Sequence, residues 1–432
     1  MLVIVAPGQG AQAPGFLAPW LDLPGVAARV AARSELAGCD LARYGTTASA
    51  DEIRDTAIAQ PLLVGAGLAA AEAAFGGLHR MARYAHATAG HSVGELTAGA
   101  IAGVLSADDA LRLVRVRGNA MAAAAAISPT GMTAVIGGEE AQVLAAIKAH
   151  GLTPANMNGA GQIVAAGTTQ QLAAFAANPP AGARLRSLQV AGAFHTRHMT
   201  LAVDALRSAA MSVTVSSPAM TLLSDADGAA VRSSGDWLAR IVAQVSAPVR
   251  WDECMASMAR LGVTAIIELP PAGTLTSLAR RVLPGVALLA LKTPDQLPAA
   301  RALAAEHGPT QDSGMALTGL DGIDGLGDID STDAMEGHHP GADSHSPEWR
   351  LLVAPLAGTF RAGSADHPAV APGAFVAAGA ELGLIEARHD RRPITPPCPG
   401  AIIEWLVEDG DPVSAGQPIA RLQPETSEQR AI

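Results

Sequence analysis

From residue 306 to residue 346 the chain carries nine acidic residues and no lysine or arginine, set among glycine, serine and histidine. A stretch of that composition cannot bury enough apolar surface to offset the entropy of ordering it. It reads as a flexible acidic linker at about 305–347, so the chain must fold as at least two separate units. Charge divides at the same place. Through Arg301 there are 22 Lys/Arg against 20 Asp/Glu, a net of +2, whereas from Ala302 onward there are 7 against 20, a net of −13. The front part is thus near neutral and lacks a basic patch to neutralise phosphates, which argues against nucleic acid as a partner.

The front part is built to bury a core, since hydrophobic residues make up 49% of the chain and charged residues only 16%. Residues 2–6, "LVIVA", read as a buried strand entering the glycine turn "PGQGAQ", and "IAQPLLVGAGLAAAEAAF" reads as a helix. Strands are expected at 131–137, 162–167 and 183–190 with helices between them, a strand–helix–strand–helix–strand unit. "VTAIIELPP" adds another buried strand. Such alternation predicts an α/β fold with a mainly parallel sheet. From Trp349 to Leu422, short strand-like runs between Gly/Pro turns predict a small all-β domain. Cys39, Cys254 and Cys398 lie far apart and form neither a disulfide framework nor a metal-ligand spacing. The start, "MLVIVAPGQG", has no basic region and only a five-residue apolar run after Met1, too short for a signal peptide or a spanning helix. The expectation is a cytoplasmic protein with no metal and no membrane partner.

Chemistry enters at residues 88–96, "TAGHSVGEL", where "GHSVG" fits the pattern G-x-S-x-G that exposes a serine on a tight strand-to-helix turn. A nucleophilic serine needs a base, a group to orient that base, and donors for the developing oxyanion. Two histidines in "VAGAFHTRHM" qualify, His195 and His198, and spacing alone does not choose between them. The turn "GQGAQ" at 8–12 could present backbone N–H groups to an oxyanion. Arg117 is the most informative single residue. Ser106 and Asp109 make a capping pair opening the helix "ADDALRLVRVRGNAM", on which Ala110, Leu113, Val114, Arg117 and Met121 share one stripe. An arginine within an apolar stripe is costly unless it snorkels, is paired within the fold, or clamps an anionic substrate through two parallel hydrogen bonds.

"PGQGAQ", "GHSVGE", "VRVRG", "NGAGQIVAAG", "GAFHT" and "APVRW" follow one another in the order and spacing of malonyl-CoA:acyl carrier protein transacylases. The resemblance spans residues 1 to about 292 and implies an α/β-hydrolase-like core with an inserted ferredoxin-like subdomain at about 125–195, within a domain 1–304. It implies Ser92 as nucleophile and His195 as general base. It implies the backbone N–H groups of Gln9 and Val93 as oxyanion hole, and Arg117 as the partner of the malonyl carboxylate. Arg250 stands where many relatives have glutamine, the residue whose backbone carbonyl orients the histidine. Phe194, beside the base, is expected to crowd an α-methyl branch, and His91 to be structural. The partners so implied are malonyl-CoA and an acyl carrier protein of fatty-acid or polyketide synthesis. A serine thioesterase and a non-catalytic adaptor are the competing readings.

Residues 348–424 resemble a biotinyl/lipoyl carrier domain through "VAPLAGTF" and "PGAIIEWLVEDGDPVSAGQPIARL", followed by a tail at 425–432. The hairpin tip departs from the pattern. "LGLIEARHDRRPI" places Arg388, His389 and Asp390 where carriers have Met-Lys-Met, and no lysine follows Lys292. An imidazole cannot form the stable amide, so no biotin or lipoate is expected. Such a domain could dock an acyl-CoA carboxylase that makes malonyl-CoA, recruit another partner, or be a relic.

Overall fold

In a computed structural model of the chain, the described residues are 1–310, 350–363, 370–371, 373–387, 390–407, 409–413 and 417–424. The expected linker beyond residue 310, Arg388, His389 and the tail 425–432 lie outside them. The chain divides into two units, Met1–Gly322 and Ile323–Ile432.

Among its described residues the first unit has ten strands: β1 (Leu2–Ala6), β2 (Ala87–Gly90), β3 (Thr130–Gly137), β4 (Thr153–Gly159), β5 (Gln162–Thr168), β6 (Ala183–Ser187), β7 (Thr221–Leu223), β8 (Val249–Arg250), β9 (Ala265–Glu268) and β10 (Ala287–Ala290). Five of them form a parallel sheet in the order β10-β9-β1-β2-β7. The central strand is the apolar run Leu2–Ala6, buried along its whole length. That run suits a sheet covered by helices on both faces. One covering helix is Thr56–Phe75, which is long and apolar enough to cross a membrane yet has 83% of its most apolar window buried inside the fold. Arg33, on the helix Val26–Ala37, donates two parallel hydrogen bonds to Glu72 of that helix, at 2.9 and 2.6 Å. The pair is nearly buried, and after Arg33→Ala only Arg29, 3.5 Å away and exposed, still faces the Glu72 carboxylate. A loss of about 2 kcal/mol is expected from the two charge-assisted hydrogen bonds, read as a lower midpoint of thermal unfolding.

The inserted unit differs from the expectation by one strand. Its four strands run β6-β3-β5-β4, antiparallel to one another, with β8 added parallel to β4, and the chain order of the insert is strand–helix–strand–strand–helix–strand. The additional strand is β4, "TPANMNG", whose proline, asparagines and glycine carry the composition of a turn. Pairing on both edges overrides that composition, with β5 on one side and β8 on the other. A two-residue hairpin joins β4 to β5. Ala160 (φ 52°) and Gly161 (φ 69°) both take the left-handed conformation that such a turn requires.

In the second unit, β11 (Arg350–Val353), β12 (Gly358–Arg361), β13 (Phe375–Val376), β14 (Gly383–Glu386), β15 (Arg391–Ile394), β16 (Gly400–Trp405), β17 (Pro412–Val413) and β18 (Pro418–Pro424) form two antiparallel four-stranded sheets. Their orders are β11-β18-β16-β13 and β15-β14-β12-β17. Phe360, Ile385, Ile402, Ile419 and Leu422 fill the core between them. The Ala387 N–H donates to the Asp390 carbonyl at the end of the β14–β15 pair.

Candidate active site

Ser92, Gln9 and Asp225 all lie just past the carboxyl ends of neighbouring parallel strands, β2, β1 and β7, where open α/β sheets place their ligands. Ser92 has φ 54°, a left-handed conformation that costs a non-glycine residue free energy and is held only where its surroundings over-determine it. The turn is gripped from below. The Ser92 N–H donates to Asp225 Oδ2 at 2.6 Å, and its carbonyl accepts from Gln244 Nε2 at 3.1 Å.

The structure chooses between the two histidines. His195 Nε2 lies 2.7 Å from Ser92 Oγ, whereas His198 is half-buried in the short helical turn Arg197–Met199, with no such contact. His195 also takes a left-handed backbone, φ 60°. Its Nδ1 meets the backbone carbonyl of Gln244 at 2.8 Å. A carbonyl only accepts, so Nδ1 carries the hydrogen and Nε2 presents its lone pair to the serine hydroxyl. This corrects the expectation for Arg250, whose carbonyl is not the one on the histidine. Arg250 sits in β8, its N–H donates to the Asp225 carbonyl at 2.6 Å, and its guanidinium pairs with Asp252 and Glu253. The orienting carbonyl comes instead from the last residue of the helix Ser234–Gln244, six positions earlier.

Burial, and then the nearby Arg117 charge, lower His195 from 6.5 to about 3. The imidazole is therefore neutral and able to accept throughout the physiological range. An acid-side fall in kcat/KM at the ordinary imidazole value of 6.5 is accordingly absent, and a pH–rate profile between pH 5 and 7.5 is the check.

Arg117 lies on the helix Ala107–Ala125 and is 1% exposed. It donates to Gln60 Oε1 at 2.7 Å, to Gln244 Oε1 at 2.8 Å and to Ser92 Oγ at 3.3 Å. Desolvation pulls it down to about 10, and it remains a cation at neutral pH. Its guanidinium has five N–H groups, of which one on Nε and one on Nη1 are not used by those three bonds. Ser106 caps the helix by accepting from the Asp109 N–H at 3.0 Å, as the capping pair predicts.

Val93 opens the helix Gly94–Ile101, and Gln9 follows β1 in the adjoining turn. Neither backbone N–H has an acceptor among the described residues. Gln9 directs its side chain away, towards the Arg54 carbonyl and Thr56 Oγ1. His91 is buried, with Nε2 2.9 Å from Asn158 Oδ1 of β4 and its ring against Trp251. It ties the core to the insert. Phe194 is 5% exposed and packed in the main core. Beside the site opens a cleft of about 480 Å³, lined by Gln9, Arg54 and His91 from the core and by Asn158, Gln162 and Arg186 from the insert.

Four residues of the site escaped the sequence reading: Gln60, Glu95, Asp225 and Gln244. Gln60 was within reach of it. A polar residue inside the apolar run "IAQPLL" poses the same problem as Arg117 and is solved by the same contact.

A neutral base on a strained serine, with a buried guanidinium 3.3 Å away, defines an acyl-transfer site with a taste for anionic acyl groups. Residues 3–291 match the acyl transferase domain family. The malonyl CoA-acyl carrier protein transacylase of Mycobacterium tuberculosis is 51% identical over 300 residues, which are 69% of this chain and 98% of that protein. The Escherichia coli protein of the same name is 33% identical over 309 residues, 68% of this chain and 97% of that protein. The crystal structure of MCAT from M. tuberculosis superposes with a TM-score of 0.67 at 50% identity, covering 70% of this chain and 99% of the other. A malonyl-transacylase solved with a type II PKS acyl-carrier protein gives a TM-score of 0.64 at 28% identity, covering 70% and 99%. The chain belongs to the malonyl CoA-acyl carrier protein transacylase family.

Proposed function

We propose that the protein moves a malonyl group from malonyl-CoA to the phosphopantetheine thiol of an acyl carrier protein, for fatty-acid or polyketide synthesis, through a malonyl ester on Ser92. The observation that carries this reading is the position of Ser92 Oγ, 2.7 Å from a neutral His195 Nε2 and 3.3 Å from the Arg117 guanidinium. His195 takes the hydroxyl proton as Oγ attacks the thioester carbonyl. The oxyanion that forms is met by the N–H groups of Gln9 and Val93, which have no competing acceptor among the described residues. Collapse expels the coenzyme A sulfur, which leaves with the proton from His195. The carrier thiol then runs the same steps in reverse.

Arg117 supplies selectivity. Acetyl-CoA has no carboxylate, so its binding leaves the guanidinium desolvated beside an apolar methyl group. Held by that carboxylate, the acyl group keeps one orientation in a cleft that limits water, which favours transfer over the hydrolysis of a thioesterase. Phe194 on this reading crowds an α-methyl branch and disfavours methylmalonyl. In fold terms the first unit is an α/β-hydrolase-like core with a ferredoxin-like insert.

The second unit on this reading is a biotinyl/lipoyl-like domain without carrier chemistry, since no lysine follows Lys292 and position 389 is histidine. Docking of an acyl-CoA carboxylase is the role it would then serve. Removing residues 306–432 with no change in transfer rate would leave it no part in the reaction itself.

The deciding experiment is intact mass after incubation with malonyl-CoA and no acceptor. A malonyl adduct on the wild type, absent from Ser92→Ala and absent with acetyl-CoA, is the expected result. Steady release of coenzyme A without an adduct would indicate a hydrolase, and no reaction at all an adaptor.

A further inference from the structure

Beneath the nucleophile lie two carboxyl groups that the reaction as derived does not use. Glu95 is 1% exposed and Asp225 fully buried. Both reach the same amide nitrogen: Gln244 Nε2 stands 2.6 Å from Glu95 Oε2, 2.9 Å from Asp225 Oδ1 and 3.1 Å from the Ser92 carbonyl. Glu95 Oε1 additionally accepts from the Asp225 N–H at 2.8 Å.

If both groups are ionised, one hydrogen of the Gln244 amide must be divided between two acceptors. Gln244 Nε2 has two hydrogens and faces three oxygens. Turning the amide over does not help. Gln244 Oε1 is held by Arg117, which can only donate, so the nitrogen must face the acids. A proton on one carboxyl supplies a third hydrogen. Charge gives the same count, because the only cation in this buried network is Arg117. Two carboxylates against one guanidinium leave an excess negative charge out of water, which is expensive. The other ionisable groups facing the pair do not relieve it. His195 is neutral, Cys254 on the helix Trp251–Arg260 is held as a thiol by burial, and the partly exposed Asp227 and Asp252 are engaged by Arg240 and Arg250.

We propose that Glu95 and Asp225 share a single proton in the acyl-free site and take up a second from solvent when a malonyl carboxylate settles on Arg117. The shared proton leaves one negative charge to balance Arg117 while the site is empty. A malonyl carboxylate brings its own charge to that guanidinium, and the charge left on the pair loses its counterion. Protonation removes it. Asp225 thereby acts as a positioning residue, fixing the Ser92 N–H through one oxygen and sensing the occupancy of Arg117 through the other. Burial raises both groups, Asp225 to about 7, which puts the second protonation within the working range.

The inference rests on the malonyl-serine reading, and its test separates the two. The full chain is mixed with stoichiometric malonyl-CoA and no acceptor in weakly buffered solution carrying a pH indicator, with the adduct quantified by intact mass. Acylation by itself consumes no proton, since the serine proton leaves on the coenzyme A sulfur. At pH 7.5 an uptake of about half a proton per malonyl-serine is expected, falling to less than about a tenth at pH 5.5, where the pair is already doubly protonated. The double variant Glu95→Gln/Asp225→Asn keeps an acceptor for the Ser92 N–H but leaves no carboxyl to protonate, so its uptake per malonyl-serine at pH 7.5 falls below about a tenth. Glu95→Leu with Asp225→Asn, which likewise leaves no carboxyl, gives the same readout should the first double variant not fold. Failure to form any adduct overturns the malonyl-serine reading. An adduct formed without proton uptake at either pH, or with the same uptake in the folded variant as in the wild type, overturns this proposal.

Discussion

Arg117→Ala is expected to lower kcat/KM for malonyl-CoA by about a thousandfold, roughly 4 kcal/mol, while leaving acetyl-CoA turnover unchanged or raised. The size follows from burial. At 1% exposure the guanidinium works out of water, and a substrate carboxylate brought to the same place without it is an uncompensated charge. The direction for acetyl-CoA follows from the opposite argument, since the methyl group no longer strands a desolvated cation. Arg117→Lys restores the charge but not the planar fork that also reaches Gln60 and Gln244, so it recovers only part of the rate. Parallel kinetics on the two thioesters are the check. An equal loss on both would mean that Arg117 acts on the shape of the site and not on recognition.

Gly94→Ala is expected to cost about 4 kcal/mol or more and to lower Tm by roughly 8 °C, if the chain folds at all. A Cβ at that position would lie 2.3 Å from the carbonyl oxygen of Ala6 and 2.9 Å from that of Pro7, both backbone atoms of the central strand and its turn. Gly90 is under the same constraint, its Cβ falling 2.0 Å from the Gly94 carbonyl carbon. The glycines around Ser92 are thus needed for close approach, and the left-handed residue of the turn is the serine itself. Gly262→Ala is the contrast. It has φ +72° but open space around it, and a loss of about 1 kcal/mol is expected. Thermal denaturation of Gly94→Ala and Gly262→Ala separates crowding from conformational strain.

The parts of the fold that could be read ahead are those where pattern and context agree. Leu2–Ala6 is apolar without interruption and lies centrally in the sheet. Arg117 broke its own stripe, and the break was the clue. β4 was not legible because its residues prefer turns, and only its two sheet neighbours make it a strand. The carbonyl on His195 was assigned six residues too late for a related reason. A backbone carbonyl has no side-chain signature, so nothing local distinguishes Gln244 from Arg250 until the helix Ser234–Gln244 is seen to end against the imidazole. Asp225 and Glu95 are ordinary acids on paper. Their character comes from being brought together from positions 130 residues apart.

Of the five strands of the parallel sheet, the earliest in chain order occupies the middle, and one of its two neighbours is β9, which begins at Ala265. On the ribosome, at about 5–20 residues per second, Leu2–Ala6 therefore waits on the order of ten seconds or more for that partner. Throughout that interval the nascent chain carries a five-residue apolar strand with at least one open edge, the kind of surface that chaperones hold and that neighbouring chains can capture. Yield during synthesis, more than stability once folded, is where this topology places its greatest demand.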